Sequence, residues 1–369
     1  MKSKQKLPFI DKAFLWINGV LCLALLISYL APITDPKKIW IIAFFGLAYP
    51  PLLLANLLMI VYWLLRKKWL ALLSILGILC GYSVLKNNIG MHPGNSNMAK
   101  PISSNAIRMM TYNVHDFKKY GSAKDISTKH EILEIITHQQ PDVIGIQEFY
   151  TRKRGQYAMI DSLKKIVGEN FYVENFSGND DDKEGIGIFS KFPIIAKGLV
   201  QLSALTNGNQ CLYVDLKKGD KIFRVYSVHL QSISFQPEDY RYLDTVTQKG
   251  KADFGSTKRL GSKLKKAFMK RSEQVAQIKD HAKQCPYPYI IAGDFNDTPS
   301  SYAVNQMAKG LKNAFCEKGF GLGRTYNGDF PNYQIDFIMA TNQFNVASYT
   351  ITEKKLSDHF PVCADLVLK

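Results

Sequence analysis

The sequence predicts an α/β fold, in which mainly antiparallel sheets are covered by helices, preceded by three transmembrane helices. Three observations lead there. The first 88 of the 369 residues are far more apolar than the rest and hold three uncharged segments. From residue 105 onward, short runs rich in Ile and Val read as buried strands, with helically spaced segments between some of them. Between the two parts lies a stretch of Asn, Gly, Pro and Ser with little periodicity, which reads as a linker. The expected division is a membrane domain over 1–88, a linker over 89–104 and a second domain over 105–369.

The apolar segments are residues 13–30, 39–65 and 69–85, none with a charge. A helix needs about 20 apolar residues to cross a bilayer, so the third is at the short end. Pro50-Pro51 must kink or break the second. A cleaved signal peptide would explain only the first segment, which favours three spans. Lys2, Lys4, Lys6 and Lys12 precede the first segment, and Arg66, Lys67 and Lys68 separate the second from the third. Lys37 and Lys38 oppose this pattern weakly. The majority puts the N-terminus and the Arg66 loop inside, and everything after Leu85 outside. The expectation is a multi-pass protein of a bacterial inner membrane with a periplasmic domain. If the third segment only lay on the surface, the domain would be cytoplasmic.

Charge is concentrated rather than spread. The chain carries a formal net charge of +16, and residues 249–271 hold nine basic residues against one acidic, Asp253. Such a patch offers anionic partners a landing area: nucleic acid, lipid headgroups or the bilayer surface. A solvated helix face is the plainer account. Cys22 and Cys80 lie in apolar segments and read as packing residues. Cys211, Cys285, Cys316 and Cys363 allow three disulfide pairings or four buried thiols.

Along the second domain, 107–112 is a strand candidate ended by Asn113. Residues 126–139 have helical spacing, stopped by Pro141. A short buried strand, 143–146, ends in Gln147-Glu148. A helix over 157–167 and a strand over 171–176 follow, then an acidic loop over 178–185 that lacks the spacing of an EF-hand. Four strand-like runs come next: 185–190, 194–200, 211–216 and 222–228. Lys217-Lys218-Gly219-Asp220 makes a hairpin turn between the last two, and His229 ends the second of them. Residues 232–255, with Phe235, Tyr240 and Tyr242, read as a loop able to overhang a site. In 260–282 the apolar positions share one helix face, and Arg271 lies in the middle of that stripe. A buried Arg needs an anionic partner, either a structural carboxylate or one belonging to a site or substrate. The Ile-rich run 289–292 leads through Gly293 to Asp294-Phe295-Asn296. A helix over 300–309, a Gly-rich loop, a strand over 335–340 headed by Asp336, the loop 356–361 with Asp358-His359, and a strand over 362–368 complete the chain.

Asn113, Glu148, His229 and Asp294 each stand just past the C-terminal end of an apolar run. Asp336 and Asp358-His359 stand at or before the start of one. With antiparallel neighbours, such starts and ends share a rim and converge on one pocket. Oxygen-rich ligands favour a hard cation, Mg²⁺ with Mn²⁺ or Ca²⁺ as alternatives, and no Cys-x-x-Cys or His-x-x-x-His spacing suggests zinc. A hard cation with a carboxylate base and a His acid suits hydrolysis at phosphorus. The absence of a Gly-rich phosphate loop with Lys-Ser/Thr argues against nucleotide-driven transfer.

Seven pieces together resemble the endonuclease/exonuclease/phosphatase superfamily: Thr111-Tyr112-Asn113, Gln147-Glu148, Gly187-Ile188-Phe189-Ser190, Ser227-Val228-His229-Leu230, Gly293-Asp294-Phe295-Asn296, Gln334-Ile335-Asp336-Phe337-Ile338 and Ser357-Asp358-His359-Phe360-Pro361. The resemblance covers residues 105–369. It implies a four-layer α-β-β-α sandwich (DNase-like) and a monomeric, metal-dependent phosphoesterase. It implies that Glu148, helped by Asn113 and with Asp358 near it, binds the cation. It further implies that Asp294 aligns or deprotonates water, that Asn296 and His229 steady the phosphoryl oxygens, and that Asp336 holds His359. By the same analogy, either Asp294 or the Asp336–His359 pair takes the proton. Phe337 stands where inositol polyphosphate 5-phosphatases carry Arg, which counts against that branch. His229, where AP endonucleases tend to have Tyr, leans toward DNase-like and sphingomyelinase-like branches. The expected substrate is a phosphate ester of nucleic acid or of a phospholipid headgroup, and Arg271 is a substrate-binding candidate. The alternative is a non-catalytic binding or scaffold module that keeps the fold.

Overall fold

The computed structural model describes residues 7–92, 105–118, 127–179, 181–202, 208–328 and 331–369. Five helices come first: α1 (Phe9–Ser28), α2 (Ile41–Leu47), α3 (Tyr49–Leu65), α4 (Ala71–Cys80) and α5 (Tyr82–Asn88). Among the described residues only α1 is by itself long and apolar enough to cross a membrane. The pairs α2–α3 and α4–α5 meet the same test only if each bent pair counts as one span, and they bend by 61° and 74°. The first break follows from Pro50-Pro51, which occupy the first turn of α3 and leave α2 at an angle to it. The second falls at Gly81, so α4 covers only about 15 Å at 1.5 Å per residue.

These helices are inside-out relative to a globular core. Trp16, Val20, Leu23, Leu57, Leu58, Val61, Leu72 and Leu76 are exposed, whereas Asn18, Asn56 and Ser74 are fully buried. The buried polar groups satisfy each other. Asn18 Nδ2 donates to Ser74 Oγ (2.6 Å), Ser74 Oγ to Asn56 Oδ1 (3.0 Å), and Trp63 Nε1 to Asn18 Oδ1 (2.8 Å). Polar side chains thus join the helices by hydrogen bonds on the inside while apolar ones face outward.

The start of the expected linker is ordered. After α5, β1 (Gly90–Met91) pairs with β11 (Phe320–Gly321). Residues 93–104 lie outside the described residues.

The rest is built on two six-stranded sheets. The strands of the first are β2 (Ala106–Asn113), β3 (Val143–Arg152), β4 (Asn170–Gly178), β5 (Asp182–Ser190), β13 (Phe344–Ile351) and β14 (Val362–Leu368), in the order β13-β14-β2-β3-β5-β4. Those of the second are β6 (Ile194–Leu199), β7 (Gln210–Lys218), β8 (Lys221–His229), β9 (Tyr289–Asp294), β10 (Lys312–Asn313) and β12 (Asp336–Ala340), in the order β10-β12-β9-β8-β7-β6. Helices α6 (Ser127–Gln139) and α7 (Met159–Ile166) pack outside the first sheet. Helices α9 (Phe254–Lys283) and α10 (Tyr302–Ala308) pack outside the second. Two further helices, α8 (Pro237–Lys249) and α11 (Ala314–Lys318), lie in the connections.

Strands buried on both faces explain the continuous apolar runs. Ile107 and Met109 point between the sheets, while their neighbour Met110 points at α6. Likewise Ile290 faces the inter-sheet core and Ile291 faces α9 and α10. The result is the expected four-layer arrangement, with mixed sheets that are mainly antiparallel.

Several expectations need correction. Residues 232–255 are not all loop: Gln236 and Asp239 form a capping box that starts α8, whose end is Gly250 at φ +61°. The element β13 was not expected at all, because its run is broken by polar residues that face outward. All six cysteines are free thiols, and Cys80 is exposed rather than packed.

Candidate active site

The rim is made by strand direction. β2 and β3 run parallel, as do β8 and β9, so all four C-terminal ends lie on one side. The expected cause, antiparallel neighbours, holds for Asp336 and Asp358-His359 but not for these four ends. Antiparallel pairing within either pair would have sent its two polar ends to opposite rims. Antiparallel pairing brings the others: β12 places Asp336 opposite Asp294 in register, and Asp358-His359 precede β14, whose Val362 lies opposite Thr111 near the end of β2. His229 is in register with Asp294 from the other side.

Backbone conformation then aims the side chains. Glu148 interrupts the β3–β5 register between Ile146 and Phe149 and has φ +48°; Asn296 has φ +53° and His115 φ +45°. Such non-glycine conformations cost of order 1–3 kcal/mol each and persist where surrounding contacts impose them. Gly293 is required just before Asp294. It has φ +152°, and a Cβ there would lie 1.9 Å from the Val228 carbonyl oxygen.

All eight of the expected catalytic and metal residues meet. Asn113 Nδ2 lies within donating distance of Glu148 Oε1 (3.1 Å) and Asp294 Oδ2 (3.2 Å), which joins the two sheets at the site. The Asn296 backbone N–H donates to Asp294 Oδ1 (2.8 Å). Its side-chain amide contacts Asp294 Oδ2 and the Leu230 carbonyl. His229 Nε2 is 3.6 Å from Asp294 Oδ2 and 3.9 Å from Glu148 Oε1. His359 Nδ1 bonds Asp336 Oδ2 at 3.0 Å, and its Nε2 lies 3.6 Å from Asp294 Oδ2. Arg271 stands apart from this set. It is buried in an ion pair with Asp297 (2.9 Å) and donates to the Gln231 carbonyl.

Sequence reasoning missed His115, whose Nδ1 is 3.3 Å from Glu148 Oε2 and 3.8 Å from Asp358 Oδ1. Its place two residues past Asn113 was the available signal. Ser357, quoted with its motif but given no role, donates to the Asn113 carbonyl (2.8 Å) and accepts from the His359 N–H (3.1 Å). Tyr326, whose ring meets His359 edge-on at 5.4 Å, gave no signal.

The carboxylates differ in proton affinity. Burial works against the charge of Glu148, but hydrogen bonds from His115 and Asn113 and the field of His229 outweigh it and hold its carboxyl down at about 2. Burial dominates at Asp294 and pushes it up to about 6, with His359 pulling the other way. Burial would discharge His359, yet Asp336, Asp294 and Asp358 together raise it well above the usual imidazole range.

Two groups of ligand atoms suit a cation. Asp294, Asp336 and His359 each offer an atom within 4.8 Å of the others. That trio is buried, and its His is already bonded to Asp336. Glu148 and Asp358 are more open, with side-chain exposures of 36% and 15%. Their oxygens, beside the Asn113 amide, form an accessible set that fits a hard divalent cation. Two buried atoms at the site, His229 Nε2 and Asp336 Oδ1, have no hydrogen-bond partner among the described residues. A cavity of about 260 Å³ opens onto this set.

A family model described as "Endonuclease/Exonuclease/phosphatase family" matches residues 110–359. A second, described only as a domain of unknown function (DUF8431), matches residues 11–88. No protein of curated function matches the sequence. Among solved structures, an endonuclease/exonuclease/phosphatase family protein from Bacteroides thetaiotaomicron aligns at 18% identity and TM-score 0.53, covering 73% of this chain and 99% of its own. One from Bacteroides vulgatus aligns at 19% and 0.53, covering 72% and 99%. The human Nocturnin catalytic domain, solved with a bound sulfate anion, aligns at 16% and 0.51, covering 73% and 96%. At these identities the likeness is one of fold.

Proposed function

The chain belongs to the endonuclease/exonuclease/phosphatase family, and on that premise we propose that it is a membrane-anchored, divalent-metal-dependent phosphoesterase that hydrolyses a phosphate ester by attack of water. The observation that carries this is the meeting of Asn113, Glu148, His229, Asp294, Asn296, Asp336, Asp358 and His359 at one rim, joined through the Asn113 amide. Glu148 and Asp358, with Asn113, would hold the cation. When bound, Mg²⁺ neutralises charge developing on the phosphoryl oxygens.

Asp294 takes the proton of the attacking water. Its carboxylate is fixed by Asn113 and Asn296. A proton affinity near neutrality suits a general base. Asp336, Asp294 and Asp358 raise the proton affinity of His359 well above the usual imidazole range, which suits it to stabilise the phosphoryl oxygens. His229, with an unpartnered Nε2 at the same wall, is available to the substrate oxygens.

The helical part is the anchor, and its orientation follows from charge. Arg66 pairs with Asp11 at one end of the bundle (3.0 Å). The other end meets the catalytic domain through Ser272–Asp35, Gln306–Pro32 and Asn88–Ser300 hydrogen bonds. With Arg66, Lys67 and Lys68 inside, the catalytic domain lies outside.

The test is hydrolysis of bis-p-nitrophenyl phosphate by the full chain with Mg²⁺ and with chelator. Asp294→Ala and His359→Ala should each lose roughly 10²–10⁴-fold in rate. Metal-dependent turnover that survives both changes overturns the assignment.

A further inference from the structure

The cavity at the site has a mixed lining. The polar groups His115, Glu148, Asp294 and His359 share it with Leu47, Ile233, Phe235, Tyr240, Leu264 and Phe268. Leu47 is not part of the catalytic domain. It belongs to α2, the short helix bent away from the anchor at Ala48. The same helix sets Phe44 edge-on against Phe268 of α9 (5.4 Å), and Trp40 lies under the Lys265 ammonium (4.6 Å). Gly46 makes the approach close, since a Cβ there would sit 3.2 Å from the Ser300 carbonyl oxygen. Ile39, Trp40 and Ile41, on the outer side of this contact, are exposed apolar residues. An aromatic ring beside a lysine is the usual chemistry of the bilayer–water interface. The helical part therefore supplies an apolar residue to the lining and carries exposed apolar residues on the same short helix and just before it.

We propose that the substrate is a membrane phospholipid, its phosphate at Asp294 and His359 and the carbons next to it along Leu47, Phe235 and Leu264. This rests on the phosphoesterase assignment above and narrows its substrate. About 260 Å³ accommodates a headgroup and the adjoining carbons, with the chains left in the bilayer. In the reaction one P–O bond replaces another: the water oxygen joins phosphorus, and the ester oxygen leaves as an alcohol carrying a proton. A nucleic acid strand fits the lining less well. Among the described lining residues the only Lys or Arg is Arg271, already committed to Asp297, whereas nucleic-acid sites depend on cations free to meet phosphates.

The full chain is reconstituted with Mg²⁺ in vesicles of phosphatidylethanolamine, phosphatidylglycerol and phosphatidylinositol, and lipid products are followed by mass spectrometry. Parallel reactions contain single- and double-stranded oligonucleotides, or bis-p-nitrophenyl phosphate. Lipid turnover is expected. Leu47→Ser should lower the ratio of lipid to bis-p-nitrophenyl phosphate turnover at least tenfold through KM, with Leu47→Met restoring it. Cleavage of oligonucleotide without lipid turnover, or an unchanged ratio in Leu47→Ser, overturns the lipid assignment and leaves the phosphoesterase standing. No hydrolysis of any ester overturns both.

Discussion

Glu148 and Asp294 share one amide donor, Asn113, yet their proton affinities move in opposite directions. Glu148 is surrounded by donors and so stays ionised; Asp294 is buried beside another carboxylate. One group can therefore hold a cation while the other exchanges a proton. The acid limb of the rate profile should follow Asp294, near pH 6, and not Glu148. The positive charge of His359 lowers the proton affinity of Asp294. In His359→Gln that pull is gone, Asp294 rises, and the acid limb of residual activity moves to higher pH by roughly one unit or more. A pH–rate profile checks this, and an unmoved limb would exclude Asp294 as the titrating group. Asn113→Ala should weaken Mg²⁺ binding roughly 10–100-fold, the usual effect of losing a group that orients a metal-binding carboxylate. Titration calorimetry reads it directly.

At the scale of elements, the site depends on β8 and β9 lying close enough for His229 to meet Asp294. Gly293 allows that approach. Gly293→Ala forces a Cβ against the Val228 backbone and should cost about 1–3 kcal/mol. Thermal unfolding measures the loss, and an unchanged Tm would show that the strands can separate without penalty. Helix α9 is tied to the same region by Arg271, which reaches Asp297, three residues beyond Asp294. Arg271→Ala leaves a buried carboxylate without its cation and should destabilise the domain by about 3–5 kcal/mol. Denaturant unfolding distinguishes this structural role from a role in substrate binding, which would raise KM and leave the midpoint unmoved.

Across the whole molecule, two surfaces of opposite character meet beside the candidate site. The helical part exposes its apolar residues and hides Asn18, Asn56 and Ser74. The sheets do the reverse. The junction is built from hydrogen bonds at Asp35, Pro32 and Asn88 and from the Phe44–Phe268 contact. An alkaline phosphatase reporter fused after Lys369 should be active, since the bundle end bearing Arg66 is opposite this junction. An inactive fusion would put the domain in the cytoplasm and reverse the orientation.

The order of most strands and helices, the apolar N-terminal helices and eight polar residues of the rim are legible in the chain because each is local. A buried strand reads as a continuous apolar run, and its end reads as the first carboxylate or imidazole after it. Elements without such contrast escaped: β13 alternates weakly, and α8 begins at a capping box inside a polar stretch. His115 escaped because its one local mark, two residues past Asn113, does not reveal that Glu148, distant in sequence, orients its imidazole. Only the tertiary structure decided that parallel pairing gathers Asn113, Glu148, His229 and Asp294, that Arg271 is spent on Asp297, and that Leu47 of the N-terminal helices lines the cavity. Each of these depends on contacts between residues far apart in sequence, and no periodicity within a single segment records which segments will meet.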